Sequence, residues 1–338
     1  MPRDDAPDDI IALADARADA RRARDWATAD RLLEQITVAG WKVVDSGTMY
    51  DLVRAAAPDI AEGGIVRYGS SASVPSRLEE APVGVASVVL VATDWPDDLA
   101  RAHRGLVEHS PDGTHVVVVA NAPSDAQAAA LDKLNATDPG APGVVTDVVW
   151  TSSRLGWAAA LNAGIRRASA PVVVLMDTSL EPAGDLVTTL AAALDDESVA
   201  IAGPFGLVSG DLRRFDAAPD GVADVDAIEG YAMAFRRLDY VARGPLDERF
   251  DFYRNLDIWW SLVLRDQDEK APDEAPPRRA VRVPVAAVSR HPHRGWASVQ
   301  DDERDRLSKK NFYRVLKRFA TRRDLLVAPS QGGSPTNA

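Results

Sequence analysis

The sequence predicts an α/β fold, with a parallel sheet covered on both faces by helices and a helical hairpin ahead of it. Three observations predict this. From Val83 onward, short Val-rich runs alternate with helical stretches. Such continuous apolar runs belong to strands buried on both sides, because each crossover helix hides one face. The first forty or so residues instead carry apolar positions at helical spacing. Finally, 338 residues with 46% hydrophobic and 27% charged side chains suffice for two or three packed units and exclude disorder as the main state.

The elements follow in order. Ile10, Leu13 and Ala14, then Trp26, Ala29, Leu32, Leu33 and Ile36, line a helical hairpin over Asp8 to Thr37, broken near Arg24 or Asp25. A strand over Trp41 to Val44 and a polar turn over Asp45 to Thr48 close this module, residues 1–57. Residues 58–82 hold Gly63, Gly64, Gly69, Pro75 and several serines, a composition that packs poorly and reads as a linker. The main domain then spans residues 83–325. Its strands are Val85 to Ala92, His115 to Ala120, Val144 to Trp150 and Pro171 to Met176. The intervening helices are Pro96 to Glu108, Ser124 to Asn135 and Gly156 to Ala168, with Asp185 to Leu194 after the fourth strand. Val199 to Phe235 reads as a mixed or antiparallel extension, and Asn255 to Arg265 as a helix. The acid- and proline-rich stretch Asp266 to Arg279 reads as a mobile loop. Leu307, Phe312, Val315, Leu316 and Phe319 mark one face of a last helix, before a disordered tail over 326–338.

Composition narrows the function. Thirty-nine Lys and Arg against fifty-one Asp and Glu give a net charge of −12, so the whole molecule repels DNA, RNA and anionic lipid. Phosphate affinity must be local, and Arg282 to Asp324 supplies it, with twelve Lys or Arg against five acids, a net +7. With no cysteine, disulfides and thiolate metal sites are excluded. The acidic start lacks the layout of a secretory signal, and no apolar run approaches the ~20 residues of a membrane span. A cytoplasmic protein is expected, membrane-peripheral if the basic final helix lies on lipid.

In sheets of this type, ligands bind beyond the carboxyl ends of the strands. Asp94, Asn121, Arg154 and Asp177 each follow one of the four strands, and together they line up along a single edge. Singly, each also suits a helix cap or a solvated loop. Gly156 permits close approach to the backbone, and the amide of Asn162, one and a half turns into its helix, reaches back over the site.

The run Arg154-Leu-Gly-Trp-Ala-Ala-Ala-Leu-Asn162, followed by Pro171-Val-Val-Val-Leu-Met-Asp177-Thr-Ser179, resembles the family 2 inverting glycosyltransferases of GT-A fold, over roughly residues 83–325. The resemblance implies a Rossmann-like nucleotide-diphospho-sugar transferase domain, of the hexosyltransferase kind that builds polysaccharides or glycolipids. It would move a sugar from a nucleotide-diphosphate donor to a hydroxyl acceptor with inversion. It places Asp94 and Asn121 at the base, Arg154, Gly156 and Asn162 around the nucleotide, and Asp177 at the first acid of Asp-x-Asp. Ser179 replaces the second acid, and a neutral hydroxyl is a poor ligand for the family's divalent cation, manganese or magnesium. Only Asp177 is left as a metal ligand, with Glu181 an alternative to be weighed against a helix-start acid.

Further on, Ile228-Glu229-Gly-Tyr-Ala-Met-Ala-Phe-Arg236 and Gly244-Pro-Leu-Asp-Glu-Arg-Phe250 resemble the family's acceptor side. The position of the usual catalytic base is Asn255, which accepts no proton at neutral pH, so the nearest carboxylate, Asp257, is the candidate base. On one continuous helix the two would lie about 200° apart. In Ser289-Arg-His291-Pro-His293-Arg294, His291 is the candidate at the donor diphosphate, with Arg290 and Arg294 standing in for the metal. Arg236, His291 and the basic final helix favour a phosphate-bearing or lipid-linked acceptor.

The N-terminal run from Leu13 through Arg24-Asp-Trp-Ala-Thr-Ala-Asp30 to Asp45-Ser-Gly-Thr48 resembles the C-terminal appendage of cysteinyl-tRNA synthetases, which helps contact tRNA. Seven basic and ten acidic residues in 1–50 weigh against RNA here and favour a scaffold for docking or dimerisation. The departures at Ser179 and Asn255 raise an alternative for the main domain, a degenerate GT-A module that binds nucleotide sugars or a partner protein without turnover.

Overall fold

The computed structural model describes residues 6–46, 49–92, 94–134, 143–266, 277–284 and 288–327. Gly47 and Thr48, most of the expected 266–279 loop and the tail from 328 lie outside the described residues. Contacts along the backbone separate two units, Met1–Pro58 and Asp59–Ala338.

In the first unit, α1 (Asp8–Arg22) and α2 (Trp26–Val38) form the expected hairpin. The break is set by Arg24 at φ 61° and by Asp25, whose carboxylate accepts the Thr28 N–H at 3.1 Å as an N-cap. A β-hairpin follows, β1 (Trp41–Ser46) against β2 (Met49–Arg54), where the sequence suggested one strand and a polar turn. The physical reason lies in Asp45. Buried Arg17 grips both its carboxylate oxygens at 3.0 Å, and Arg21 stands at 3.2 Å, so the acid is neutralised within a strand. The Arg17 hydrogen bond also holds the Asp45 carboxyl below its ordinary pKa. Ile10, Ala14, Ile36, Trp41, Tyr50 and Leu52 form the core of this unit.

The second unit opens with β3 (Ile60–Glu62) and β4 (Ile65–Tyr68), inside the stretch expected to be a linker. Gly63 and Gly64, both at positive φ, make the two-residue turn of this hairpin, and β4 then pairs in parallel with the strand over Val145–Thr151. Loose composition was thus turn chemistry rather than absence of structure. The alternation comes next, as β5 (Ala86–Ala92), α3 (Pro96–His109), β6 (His115–Ala120), α4 (Asp125–Leu134), β7 (Val145–Thr151), α5 (Trp157–Ile165) and β8 (Val172–Met176). Then follow β9 (Leu180–Pro182), α6 (Leu186–Ala193), β10 (Val199–Gly203), β11 (Gly206–Val208), β12 (Asp216–Ala217), β13 (Asp224–Val225), β14 (Ala227–Ile228), β15 (Ala232–Arg236) and α7 (Arg237–Arg243). The chain continues through α8 (Leu256–Arg265), β16 (Arg279–Arg282), β17 (Val288–Arg290), α9 (Arg294–Ala297) and α10 (Asp301–Phe319).

The ten-stranded sheet runs β13-β16-β10-β15-β8-β5-β6-β7-β4-β3. Strands β5 to β8 are mutually parallel, and β15 is antiparallel between β8 and β10, the mixed extension read from the sequence. Alternate residues of the buried strands enter two cores. Val89, Val91, Val117 and Val119 pack with α5, α8 and α10, whereas Val88, Leu90, Val116 and Val118 pack with α3 and α6. On α10, Val315 and Phe319 are fully buried, so its apolar stripe covers the core. The chain moves outward from β5 to β7 and then returns to place β8 on the other side of β5. The crevice at the β5 and β8 carboxyl ends is therefore the topological switch point.

Gly164 lets α5 approach the sheet closely, since a Cβ there would collide with Val89 and Val119. Gly164→Ala should therefore lower the stability of the protein by ~1–3 kcal/mol through overpacking, read from the shift in a urea unfolding midpoint at unchanged slope.

Candidate active site

At the switch point, β8 ends and Asp177 begins the turn into β9, its N–H donated to the Tyr231 carbonyl at 2.9 Å. One carboxylate oxygen accepts the Ser179 backbone N–H at 2.8 Å and the Ser179 hydroxyl. The other lies 3.2 Å from His293 Nε2. His293 is in turn stacked on Tyr253, with ring centroids 4.4 Å apart. Burial alone would raise the Asp177 pKa, but the bonds from His293 and Ser179 outweigh it and hold the carboxyl below its ordinary value. Two cavities meet at this cluster. One, of about 820 Å³, is reached by Glu229, Asp257, Arg213, Arg254 and Arg290. The other, of about 260 Å³, is reached by Asn121, Arg154, Ser179 and Arg294. Asp177, His293, Tyr253 and Trp157 line both.

The smaller cavity gathers part of the expected nucleotide set. Asn121 lines it while pinning the loop ahead of α5: its carbonyl oxygen accepts the Leu155 N–H at 2.8 Å and its amide donates to the Leu155 carbonyl at 3.0 Å. Arg154 lines it too and faces Asp94 at 4.0 Å, an exposed pair of small energetic weight. Asp94 itself accepts the Ser124 N–H at 2.8 Å and fastens the start of α4. Arg294 meets the buried Asp98 at 3.2 Å, which Arg101 also contacts at 2.9 Å.

Other expected residues are used elsewhere. The Asn162 side chain is fully buried and fully bonded. Its oxygen accepts the Tyr240 hydroxyl at 2.9 Å and the Leu246 N–H at 3.0 Å, and its nitrogen donates to the Leu246 carbonyl at 2.9 Å and to Glu248 at 3.0 Å. It ties α5 to the 246–248 turn and reaches no ligand space. Gly156 serves packing as well, because a Cβ there would stand 2.6 Å from Asp251 Oδ1, whose backbone carbonyl accepts the Trp157 N–H. Arg236 lies at the opposite end of the sheet, opposite the first residue of β8, and donates to the carbonyls of Leu194, Asp196 and Val199. His291 bonds Glu181 at 2.7 Å across the β17 and β9 pair, so His293, two residues on, is the histidine that meets Asp177. Glu181 is accordingly a strand residue rather than a helix-start acid.

On the acceptor side, Asn255 is not a helical residue. It caps α8 at φ 66°, and its amide donates to the Ser308 carbonyl of α10 at 2.9 Å. Asn311 of α10 donates to the Phe252 and Arg254 carbonyls at 2.8 and 2.9 Å, so α10 fixes the loop that carries Tyr253. Asp257 accepts the Ile258 N–H at 2.9 Å and the Gly230 N–H at 3.0 Å, one on each oxygen. Burial raises its pKa against these bonds. Sequence reasoning passed over Tyr253 and Asn311. Tyr253 carried a signal, as an aromatic beside the expected base position, whereas Asn311 looked like one more polar residue of an amphipathic helix. Among the described residues no group of three or more His, Asp or Glu is placed to hold a metal ion, and no helix is long and apolar enough to cross a membrane.

Two joined cavities at the switch point of a mixed α/β sheet, with a buried acid between them, lie where a sheet of this class binds its ligand. The sequence matches "Glycosyl transferase family 2" over residues 87–270, just over half of the chain, and the protein belongs to that family. Its fold is of the GT-A type, and the chain spans only 48% and 57% of the lengths of two solved structures it matches. Among solved structures, GalNAc-T7 with UDP, GalNAc and Mn2+ superposes with a TM-score of 0.52 at 14% identity, covering 70% of this chain and 48% of that one, a likeness of fold. The mannosyltransferase PcManGT from Pyrobaculum calidifontis, with GDP-Man and Mn2+, gives a TM-score of 0.43 at 20% identity, over 63% of this chain and 57% of that one. A stretch of 51 residues is 41% identical to the cysteine--tRNA ligase of Opitutus terrae, 15% of this chain and 11% of the ligase.

Two outcomes follow from this geometry. Asn162→Ala should cost ~2–4 kcal/mol of stability in denaturant unfolding, because the buried Tyr240 hydroxyl and Leu246 backbone lose their partner. The depressed Asp177 pKa contributes stability that is present above the ordinary carboxylate pKa and is lost as pH falls through the folded value. In His293→Ala, burial is opposed by Ser179 alone, so the Asp177 pKa should rise and the loss of stability on acidification should begin at higher pH, measured as unfolding free energy between about pH 3 and 7.

Proposed function

We propose that the protein transfers a hexose from a nucleotide-diphosphate donor to a hydroxyl acceptor with inversion, the nucleotide lying in the smaller cavity and the sugar and acceptor in the larger. The observation that carries this reading is the Asp177, His293 and Tyr253 cluster lining both cavities at the switch point. A ligand threaded past it would have its diphosphate where the cavities meet. The Tyr253 hydroxyl is buried without a hydrogen-bond partner among the described residues, a donor group suited to a bound sugar or phosphate oxygen. Asn121 and Arg154 border the nucleotide, and Ser179 orients Asp177.

Asp177 and His293 are the protein ligands on offer for a divalent cation. They do not fit one well, since one Asp177 oxygen is taken by Ser179 and the other by His293. Compensation of the leaving diphosphate therefore falls to positive side chains of this chain, Arg294 from the smaller cavity and Arg290 from the larger. Arg290 lies 4.1 Å over the Tyr231 ring and 4.8 Å over that of Phe205, which fixes it without neutralising its charge. With Arg213, also at the larger cavity, it favours an acceptor that bears phosphate. The single displacement needs no covalent nucleophile, only a carboxylate facing the acceptor. Asp257 and Glu229 both border that cavity.

Incubation with UDP-glucose, UDP-N-acetylglucosamine and GDP-mannose should release nucleoside diphosphate from one of them, with turnover retained in excess chelator. Asp177→Ala should lower that turnover at least about 100-fold. Tight binding of every nucleotide sugar without release would favour the non-catalytic binding module. An absolute requirement for manganese or magnesium would reject compensation by arginine.

A further inference from the structure

Besides Asp177, two carboxylates face the larger cavity, Asp257 and Glu229, and they differ in what they are free to do. Each oxygen of Asp257 already accepts a backbone N–H, from Ile258 and from Gly230. Such bonds favour the charged carboxylate and occupy one lone pair on each oxygen. Glu229 precedes Gly230 in the segment between β14 and β15. Its own N–H is committed to the Phe205 carbonyl at 2.9 Å, so the backbone is anchored. Its carboxylate forms no hydrogen bond or close ion pair among the described residues. The Asp257 bond to the Gly230 N–H thus holds the peptide from which the Glu229 side chain departs.

We infer that Glu229 is the general base of the transfer, and that Asp257 is a positioning residue acting through the Gly230 N–H. This assignment rests on the transferase reading above. In the step it describes, the acceptor O–H proton passes to a Glu229 carboxylate oxygen while the acceptor oxygen bonds the anomeric carbon. The bond from that carbon to the diphosphate oxygen breaks, and the electron pair leaves with the nucleoside diphosphate. The charged surroundings suit a base that must release its proton again. Arg290 from β17, Arg254 from the loop before α8 and Arg282 from β16 oppose protonation, and Asp257 from α8 favours it. Burial is the larger influence and raises the Glu229 pKa above its ordinary value, bringing it nearer to working pH.

The test measures nucleoside diphosphate release, with water as acceptor, from whichever of the three nucleotide sugars the wild-type protein turns over. Glu229→Gln should lower kcat by about 100-fold or more with donor Kd by calorimetry unchanged within about threefold, and should abolish the acid limb of the pH profile. Asp257→Asn should lower kcat less than Glu229→Gln does and leave that limb in place. Glu229→Asp, which keeps a carboxylate, should recover part of the lost rate with a displaced acid limb, and it serves as the deciding variant if Glu229→Gln does not fold. Turnover by Glu229→Gln within about threefold of wild type, or an acid limb that disappears in Asp257→Asn instead, overturns the base assignment while leaving the transferase reading intact. A wild-type protein that binds the nucleotide sugars but turns over none overturns both.

Discussion

Strands β5, β6 and β8 are buried on both faces, and this constraint organises the rest of the second unit. A strand covered by helices on either side tolerates almost no polar side chain along its length, since an unpartnered polar group there would cost several kcal/mol. Polar chemistry can emerge only where the strands stop. The chain leaves β8 at Asp177, and returns to the same edge through β17, the His293 turn and the Tyr253 loop. Asp177, His293 and Tyr253, which border both cavities, are brought there by these segments.

The acid at that edge is stabilised without a second carboxylate. Ser179 replaces negative charge with two hydrogen-bond donors, and His293 adds a third contact on the other oxygen. The cluster is supported by amides that pin the loops around it. Asn162 joins α5 to the 246–248 turn, Asn311 and Asn255 join α10 to the Tyr253 loop, and Asn121 holds the loop before α5. Burying an amide is favourable only when its donors and acceptors are met, and here they are met by backbone groups of loops that would otherwise be loose. The basic end of the chain has a similar structural use. Arg318 and Arg322 bond Asp266 at 3.4 and 2.5 Å, Arg294 meets Asp98 at 3.2 Å and Arg282 meets Asp220 at 3.3 Å, so part of the local +7 is compensated by acids from elsewhere in the fold.

Much of the fold was legible because strands and helices declare themselves through spacing. The boundaries of β5, β6 and β8 were readable to within a residue or so, and the hairpin break near Arg24 or Asp25 was readable from the helical spacing on either side. The pairing of β3 and β4 was not legible, because glycines and serines read as a linker until the Gly63-Gly64 turn is seen joining two strands. The site was legible as an edge but not as a set of roles. Asp177, Asn121, Arg154 and Arg294 reach the cavities, whereas Asn162, Gly156 and Arg236, of the same residue types, are consumed by packing and backbone bonds. His291 and His293 differ by two positions, and strand pairing of Ser289 with Glu181 decides which one faces Asp177.

The sequence by itself determined the α/β class, the strand ends at which ligand chemistry could appear and the absence of any thiolate. These are properties of residue identity and local periodicity, which a one-dimensional pattern carries in full. Tertiary structure alone decided which polar groups remain available. A side chain's capacity for chemistry depends on whether its lone pairs and protons are already engaged, and here those engagements are made by residues as many as 196 positions away, as between Arg294 and Asp98. That is why Asn255 became a cap and Asn162 a clamp, while Glu229 kept an uncommitted carboxylate beside the larger cavity.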